Sequence, residues 1–153
     1  MPNYITPTLN IQANANSVTT GNKGPLSVAL SLTASKLTSV DKVNSEIITV
    51  PYTDAATVAT LILDHTAYVG SGVGGTDGGY VYLSNITASG VEKIFVGVHA
   101  PGLQTLHAND EDHRFCTLMP GEFAFFPYDY TLDISVDASA ANQTLEYWVF
   151  DRG

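Results

Sequence analysis

A two-residue alternation of apolar with small or polar side chains is the feature that most constrains this chain. Segment 26–32 reads L-S-V-A-L-S-L, and segment 132–137 reads L-D-I-S-V-D. Because successive side chains of a strand point to opposite faces of a sheet, each segment predicts a strand with one apolar face. The other face of 132–137 is predicted to be an acidic outer face.

Further strands are predicted where β-branched and aromatic residues cluster between turn residues. They cover 8–13, 39–43, 46–50, 80–83, 94–98, 114–118, 122–126 and 144–150. Segment 54–63 fits a short helix capped by Asp54, but its β-branched residues favour a strand. The sequence therefore predicts an all-β protein, a single antiparallel β-sandwich or jelly roll over residues 1–153. Residues 70–79 are predicted to be a long glycine-rich loop, and residues 1–8 an extended N-terminal arm.

Composition excludes several classes of function. Only 14% of the 153 residues are charged, and 15 acidic against 6 basic residues give a net charge of −9. Six scattered cations cannot form the basic stripe that nucleic acid requires, so we expect no nucleic-acid partner. Apolar runs stay well below the roughly 20 residues that span a bilayer, so we expect no membrane partner either. The opening M-P-N-Y-I-T-P-T lacks the features of a secretory signal, and we expect folding in the cytoplasm.

The candidates for chemistry are weak. The densest polar cluster, His107–Arg114, offers nitrogen and oxygen ligands but matches neither an EF-hand nor a cupin metal site, and a solvated acidic turn is the favoured interpretation. The glycine-rich loop lacks the Lys and Ser/Thr of a phosphate-binding loop. Cys116, the one cysteine, is predicted to be a buried, inert thiol. We therefore assign no catalytic residue, cofactor or metal, and expect a protein that is not an enzyme.

The aromatic segment 118–128 is more informative. Its Pro120-Gly121 pair predicts a type II turn, since proline presets φ at the second position and glycine accepts a positive φ at the third. In the strand that follows, Phe123 and Phe125 share one face while Phe126 lies on the other. One face would cover the core. The other would belong to the same core, cover a second subunit, or form a sugar-stacking platform.

Five segments together resemble a family of small structural proteins of marine tailed bacteriophages. They are Tyr4–Leu9, Gly24–Ser27, Asn85–Gly90, Leu118–Phe123 and Trp148–Gly153. These motifs are turns and strands spread over nearly the whole chain, and they carry no catalytic signature. The resemblance implies a β-sandwich subunit of the virion, a decoration or cement protein on the outside of the capsid.

From this resemblance we expect a homotrimer or dimer that binds the major capsid protein between capsid subunits and is made in the host cytoplasm. The alternatives are a tail, adaptor or fibre-base subunit of the same virion, and a carbohydrate-binding module. An enzyme of the cupin or lyase type is the least favoured. The candidates for inter-subunit contact are Tyr4, Ile5, Pro7, Phe123, Phe125 and Tyr128.

Overall fold

The structure is a computed structural model of the 153-residue chain. It describes residues 3–6, 8–13, 28–33, 38–52, 59–64, 79–88, 90–99, 106, 113–128, 132–140 and 143–152. The predicted glycine-rich loop lies outside these residues except for Gly79, as do Pro7 and most of His107–Arg114. No described residue belongs to a helix long and apolar enough to cross a membrane.

Eleven strands account for most of the described residues, and none of these residues is α-helical. The strands are β1 (Asn3–Ile5), β2 (Thr8–Ala13), β3 (Val28–Thr33), β4 (Thr38–Val50), β5 (Thr60–Leu63), β6 (Gly79–Asn85), β7 (Ile94–His99), β8 (Arg114–Leu118), β9 (Phe123–Tyr128), β10 (Asp133–Ala138) and β11 (Gln143–Arg152). The predicted all-β, antiparallel class is confirmed.

Two compact units divide the chain at Val40/Asp41. In the first unit, β1 pairs antiparallel with Thr38–Val40 at the start of β4. The same unit contains the β2–β3 pair, which runs in register from Thr8↔Thr33 to Ala13↔Val28. Part of the predicted N-terminal arm is therefore strand β1. That residues 1–153 fold as a single domain stays a prediction.

The second unit, Asp41–Gly153, contains two four-stranded arrays. In one the order is β4-β11-β6-β9, and in the other it is β5-β10-β7-β8. The pairs are nested, because β4 lies beside β11, β5 beside β10, β6 beside β9 and β7 beside β8. Nested pairing of this kind arises when one long antiparallel hairpin folds over on itself with its two arms still paired.

The core of the second unit lies between the two arrays, which pack as a sandwich. Its buried side chains come from the inward positions of β4, β5, β6, β7, β8, β10 and β11, while β9 contributes partly buried ones. Four of these side chains are fully buried: Leu83 and Leu145 from the first array, and Ile94 and Val136 from the second. Burying such side chains stabilises the fold by roughly 1.5–3 kcal/mol each. The two-residue alternation predicted from the sequence is the origin of this core.

Several strands are longer than the sequence pattern predicts. The predicted strands 39–43 and 46–50 are one continuous strand, β4. Within 54–63, the described part from Thr60 onward is strand β5, and residues 54–58 lie outside the described part of the chain. The strand predictions for 8–13 and 114–118 match β2 and β8 residue for residue.

The predicted acidic outer face of β10 is wrong. Ser135 and Asp137 are 1% and 0% exposed, although they point away from the sandwich core. A second apolar cluster of Ala59, Phe95 and Leu106 covers this outer side of the sheet. Asp137 can be buried here because both of its carboxyl oxygens have partners. Its Oδ2 accepts a hydrogen bond from the Leu106 amide at 3.1 Å, and its Oδ1 accepts one from the Ala138 amide at 2.8 Å. A buried carboxylate is tolerated where backbone donors satisfy it in this way.

Arg114 completes this cover, which we call the Leu106 clamp. Its Nε and Nη2 donate to the Leu106 carbonyl oxygen at 3.0 and 2.5 Å, and its guanidinium carbon lies 3.8 Å from the centre of the Phe95 ring. Between β7 and β8, Val96 pairs with Cys116 and Gly97 with Arg114, so Phe115 is an extra residue. This bulge turns Arg114 to the outer side of the sheet, while Cys116 packs against the core.

Candidate functional site

The outer side of the first array carries a continuous aromatic surface. In the pairing of β11, β6 and β9, Trp148 lies opposite Tyr82 and Tyr82 opposite Phe125. In the next outward-facing pair of β11 and β6, Phe150 lies opposite Tyr80. With Phe123 at the end of β9 these rings form a surface that we call the aromatic face: Tyr80, Tyr82, Phe123, Phe125, Trp148 and Phe150.

Ring contacts join the members of the aromatic face. Tyr80 and Phe125 stack with their centroids 5.3 Å apart and their planes 5° from parallel. Trp148 and Phe150 stack at 6.2 Å, and Phe125 meets Phe150 edge-on at 6.5 Å. Such pairs contribute about 0.5–1.5 kcal/mol each beyond the burial of their area, so they hold the rings in fixed positions.

The aromatic face remains accessible. Phe123 is 61% exposed, Phe125 40% and Trp148 37%. Ile47 of β4, beyond β11, adds a further exposed apolar side chain at 61%. The interpretation that both apolar sides of β9 belong to the core is wrong, because Phe123 and Phe125 lie outside the sandwich core. An exposed apolar patch of this kind is typical of an interaction surface.

Two open depressions flank the centre of this surface. One, of about 350 Å³, is lined by Tyr82, Phe125, Glu146, Trp148 and Phe150. The other, of about 300 Å³, is lined by Ser45, Glu46, Ile47, Glu146 and Trp148. Because they share Glu146 and Trp148 and lie on either side of β11, they form one shallow groove across the strands. We call it the β11 groove.

Among the described residues, the charged groups that line the β11 groove are all acidic. The Trp148 Nε1–H donates to Oε1 of Glu146 at 3.1 Å, which orients both side chains. Glu46 borders the other end of the groove, but its side chain lies on the core side of β4, where its Oε2 accepts a hydrogen bond from the Tyr147 hydroxyl at 2.8 Å. Among its described lining residues, the groove therefore combines aromatic rings with the Glu146 carboxylate and has no cation.

Of the six predicted contact residues, the three in β9 do not share one surface. Phe123 and Phe125 lie together on the aromatic face, whereas Tyr128 lies on the other side of β9, where it packs against the core. The Tyr128 hydroxyl accepts a hydrogen bond from the Leu132 amide at 3.2 Å. Tyr4 and Ile5 are in β1 of the first unit. The inter-subunit role of all six residues stays a prediction.

The structure brings together two of the segments that carry the family resemblance. Asn85, fully buried at the end of β6, donates through Nδ2 to the Leu118 carbonyl at 3.0 Å and accepts from the Thr87 amide at 3.1 Å. Its own amide and carbonyl bond to Glu122 O and Gly121 N at 3.0 and 2.8 Å. Asn85 thus fixes the turn where the chain passes from β8 to β9.

That turn has the predicted type II features. Gly121 has φ of +83°, and the Glu122 amide donates to the Met119 carbonyl at 2.9 Å. The Glu122 carboxylate also accepts from the Met119 amide at 2.8 Å. These segments are structural, and they connect the two arrays at a fixed corner.

Cys116 is half-buried beside the core, less deeply than predicted. Burial raises the pKa of its thiol above the ordinary value, and the nearby Glu122 carboxylate raises this pKa further. The side chain is therefore a neutral thiol at pH 7, as expected of an inert cysteine. Within the part of the chain that is described, no group of three or more His, Cys, Asp and Glu side chains is placed to hold a metal ion.

Sequence reasoning missed most of the aromatic face. The sequence singles out Phe123 and Phe125 in segment 118–128, but does not connect them with Tyr80, Tyr82 and Phe150. The signal was present as alternation, in Y-V-Y at 80–82 and W-V-F at 148–150. Only the pairing of β11 with β6 and β6 with β9 shows that the outward residues of three separate segments meet.

Comparison of the chain with models of known protein families, with curated proteins and with solved structures found no match.

Proposed function

We propose that this chain is a non-enzymatic structural protein of a tailed bacteriophage virion, a decoration or cement protein that binds the major capsid protein on the outside of the head. The exposed aromatic face is the single observation that carries the docking part of this proposal. Six rings are fixed on the outer side of one array, while the Leu106 clamp covers Ser135 and Asp137 on the outer side of the other. The virion location rests on the family resemblance.

The strand order supports the same proposal. Nested pairs over eight strands in two four-stranded sheets are the connectivity of a jelly roll, which we propose as the fold of the second unit. Jelly rolls occur in viral capsid proteins, and also in lectins and cupins, so the order is compatible with the proposal without selecting it. The net charge of −9 disfavours contact with packaged DNA and is compatible with a position on the capsid surface.

Localisation in the particle tests the virion assignment. Purified virions are analysed by mass spectrometry, and a labelled antibody against this chain is imaged on intact particles. We expect the chain in the virion and the label on the head. Absence from virions would overturn the proposal, and a label confined to tails would replace it with a tail, adaptor or fibre-base subunit. Native mass spectrometry of the isolated chain tests the proposed trimer or dimer.

Add-back to particles tests the docking surface. Heads lacking this protein are incubated with the wild type, with Phe125→Asp and with the matched control Leu132→Asp, since Leu132 is 50% exposed in the turn before β10. We expect only Phe125→Asp to lose binding in a co-sedimentation assay. Equal binding by all three proteins would show that docking uses another surface.

A carbohydrate-binding module is the second candidate. The specific observation in its favour is Trp148, an exposed ring beside a carboxylate in an open groove, because sugar faces stack on aromatic rings and sugar hydroxyls donate to carboxylates. A glycan array probed with the wild type and Trp148→Ala tests it. Binding by the wild type that the variant loses would support this candidate, and silence across the array would count against it.

A further inference from the structure

We infer that the β11 groove receives an arginine side chain of the protein on which this chain docks. The inference rests on the proposed docking function and specifies the chemistry of the partner at that site. It follows from the two kinds of groups that line the groove, which are aromatic rings and carboxylates.

The rings favour a cation. The face of an aromatic ring carries a negative quadrupole, which attracts a cation within about 6 Å of the centroid. Trp148 is the strongest such ring and is exposed at the centre of the groove. The planar guanidinium of arginine stacks on such faces, which an ammonium group cannot do. The chain itself uses this contact elsewhere, where Arg114 lies over Phe95.

The Glu146 carboxylate favours the same kind of ligand, a cation. Glu146 uses Oε1 to accept the Trp148 indole N–H, and its Oε2 accepts no hydrogen bond from the described residues. A guanidinium stacked on Trp148 can donate to this oxygen without disturbing the bond that orients the indole. Hydrogen bonds between ionised partners are about twice as strong as neutral ones, so the carboxylate selects a cation over a neutral ligand.

The same charges disfavour a second copy of this chain as the occupant. In a two-fold symmetric interface the same patch is used on both copies. Glu146 of one copy would then approach Glu146 of the other, with no cation among the described lining residues to offset the repulsion. A two-fold dimer of this chain therefore uses a different surface.

The experiment uses the intrinsic fluorescence of Trp148, the one tryptophan of the chain. The full-length protein is titrated with the peptide acetyl-Gly-Ser-Arg-Ser-Gly-amide and with the same peptide carrying citrulline, which keeps the shape of arginine without its charge. We expect saturable quenching by the arginine peptide and about five- to tenfold weaker binding of the citrulline peptide. Affinity for the arginine peptide should fall as NaCl is raised.

Two pairs of matched variants assign the effect to the groove. Glu146→Gln should weaken arginine binding about fivefold, whereas Glu92→Gln, which removes the same charge outside the groove, should leave it unchanged. Phe125→Leu should weaken it, and Phe115→Leu, at an exposed ring of the other array, should not. Circular dichroism and thermal melts verify that each variant is folded.

Three results would overturn the inference: equal binding of the arginine and citrulline peptides, an unchanged affinity in Glu146→Gln, or tighter binding of the neutral saccharide maltohexaose than of the arginine peptide. The last result would favour the carbohydrate-binding candidate. None of these results bears on whether the chain is part of the virion, because its location is measured independently on intact particles. A chain absent from virions that still prefers the arginine peptide would instead overturn the proposed function alone.

Discussion

At the scale of single residues, Asn85 has the most demanding position. It is fully buried, and three hydrogen bonds of its side chain and backbone join β6 to the end of β8 and the turn that follows, while a fourth holds the Thr87 amide. A buried polar group that loses its partner costs much more than an average hydrogen bond contributes, because it has also lost its contact with water. The corner between the two arrays therefore depends on this one amide.

We predict that Asn85→Ala lowers the free energy of unfolding by about 2–4 kcal/mol, since it leaves the Leu118 carbonyl and the Thr87 amide without their partner. Urea unfolding followed by Trp148 fluorescence measures the change. Ile86→Ala is the control, because Ile86 is the next residue and 41% exposed. A loss in Asn85→Ala no larger than in the control would contradict this account of the corner.

Cys116 provides a prediction about reactivity. Because burial and the Glu122 carboxylate both raise the pKa of its thiol, the native protein holds less thiolate at pH 8 than an unfolded chain does. We expect Ellman's reagent to react at least about tenfold more slowly with the native protein than with the protein in urea. Glu122→Gln should speed the native reaction, since it removes the charge that opposes ionisation. Equal rates in the native and unfolded protein would refute the prediction.

At the scale of elements, the Leu106 clamp determines what happens to the outer side of β7 and β10. A Cβ added to Gly97 would lie 2.5 Å from the His113 carbonyl oxygen and 2.6 Å from Leu106 Cδ2. Glycine is therefore required at this position for close approach of the backbone. The clamp and the strand fit together only without a side chain here.

We predict that Gly97→Ala destabilises the protein by about 1–3 kcal/mol, as expected for overpacking against backbone that cannot move freely. Thermal unfolding measures the loss, with Thr117→Ala at an exposed position of β8 as the control. If the two substitutions had equal effects, the close contact of Gly97 with residues 106 and 113 would not be part of the folded protein.

Some features of the strands can be predicted from the sequence, and others cannot. The alternation in 26–32 and 132–137 predicts strands and core-facing residues, because period two is a local property of extended backbone. Whether the opposite face meets water is not local. Asp137 is buried because Leu106, 31 positions away, covers it. For the same reason the aromatic face was only partly predicted, since Tyr82 and Trp148 become neighbours through strand pairing.

At the scale of the whole molecule, the outer faces of the two arrays of the second unit differ in what covers them. Where its outer face is polar, as at Ser135 and Asp137, a clamp of the same chain covers it. Where its outer face is aromatic, as at Phe123, Phe125 and Trp148, the rings stay accessible beside the Glu146 carboxylate. An internal clamp satisfies the polar groups, whereas the aromatic rings are available to a partner. This asymmetry is the physical basis of the proposed docking function.

The last prediction concerns the autonomy of the second unit. Every described residue that is buried in the sandwich core lies between Val50 and Val149, within Asp41–Gly153. A chain that begins at Asp41 keeps this core and should retain a single cooperative unfolding transition, monitored by Trp148 fluorescence and circular dichroism. A matched deletion of Gln143–Gly153 removes β11, which lies between β4 and β6, and should abolish cooperative unfolding. If the chain from Asp41 onward lost cooperativity as this deletion does, the fold would require residues 1–40, as the single-domain prediction holds.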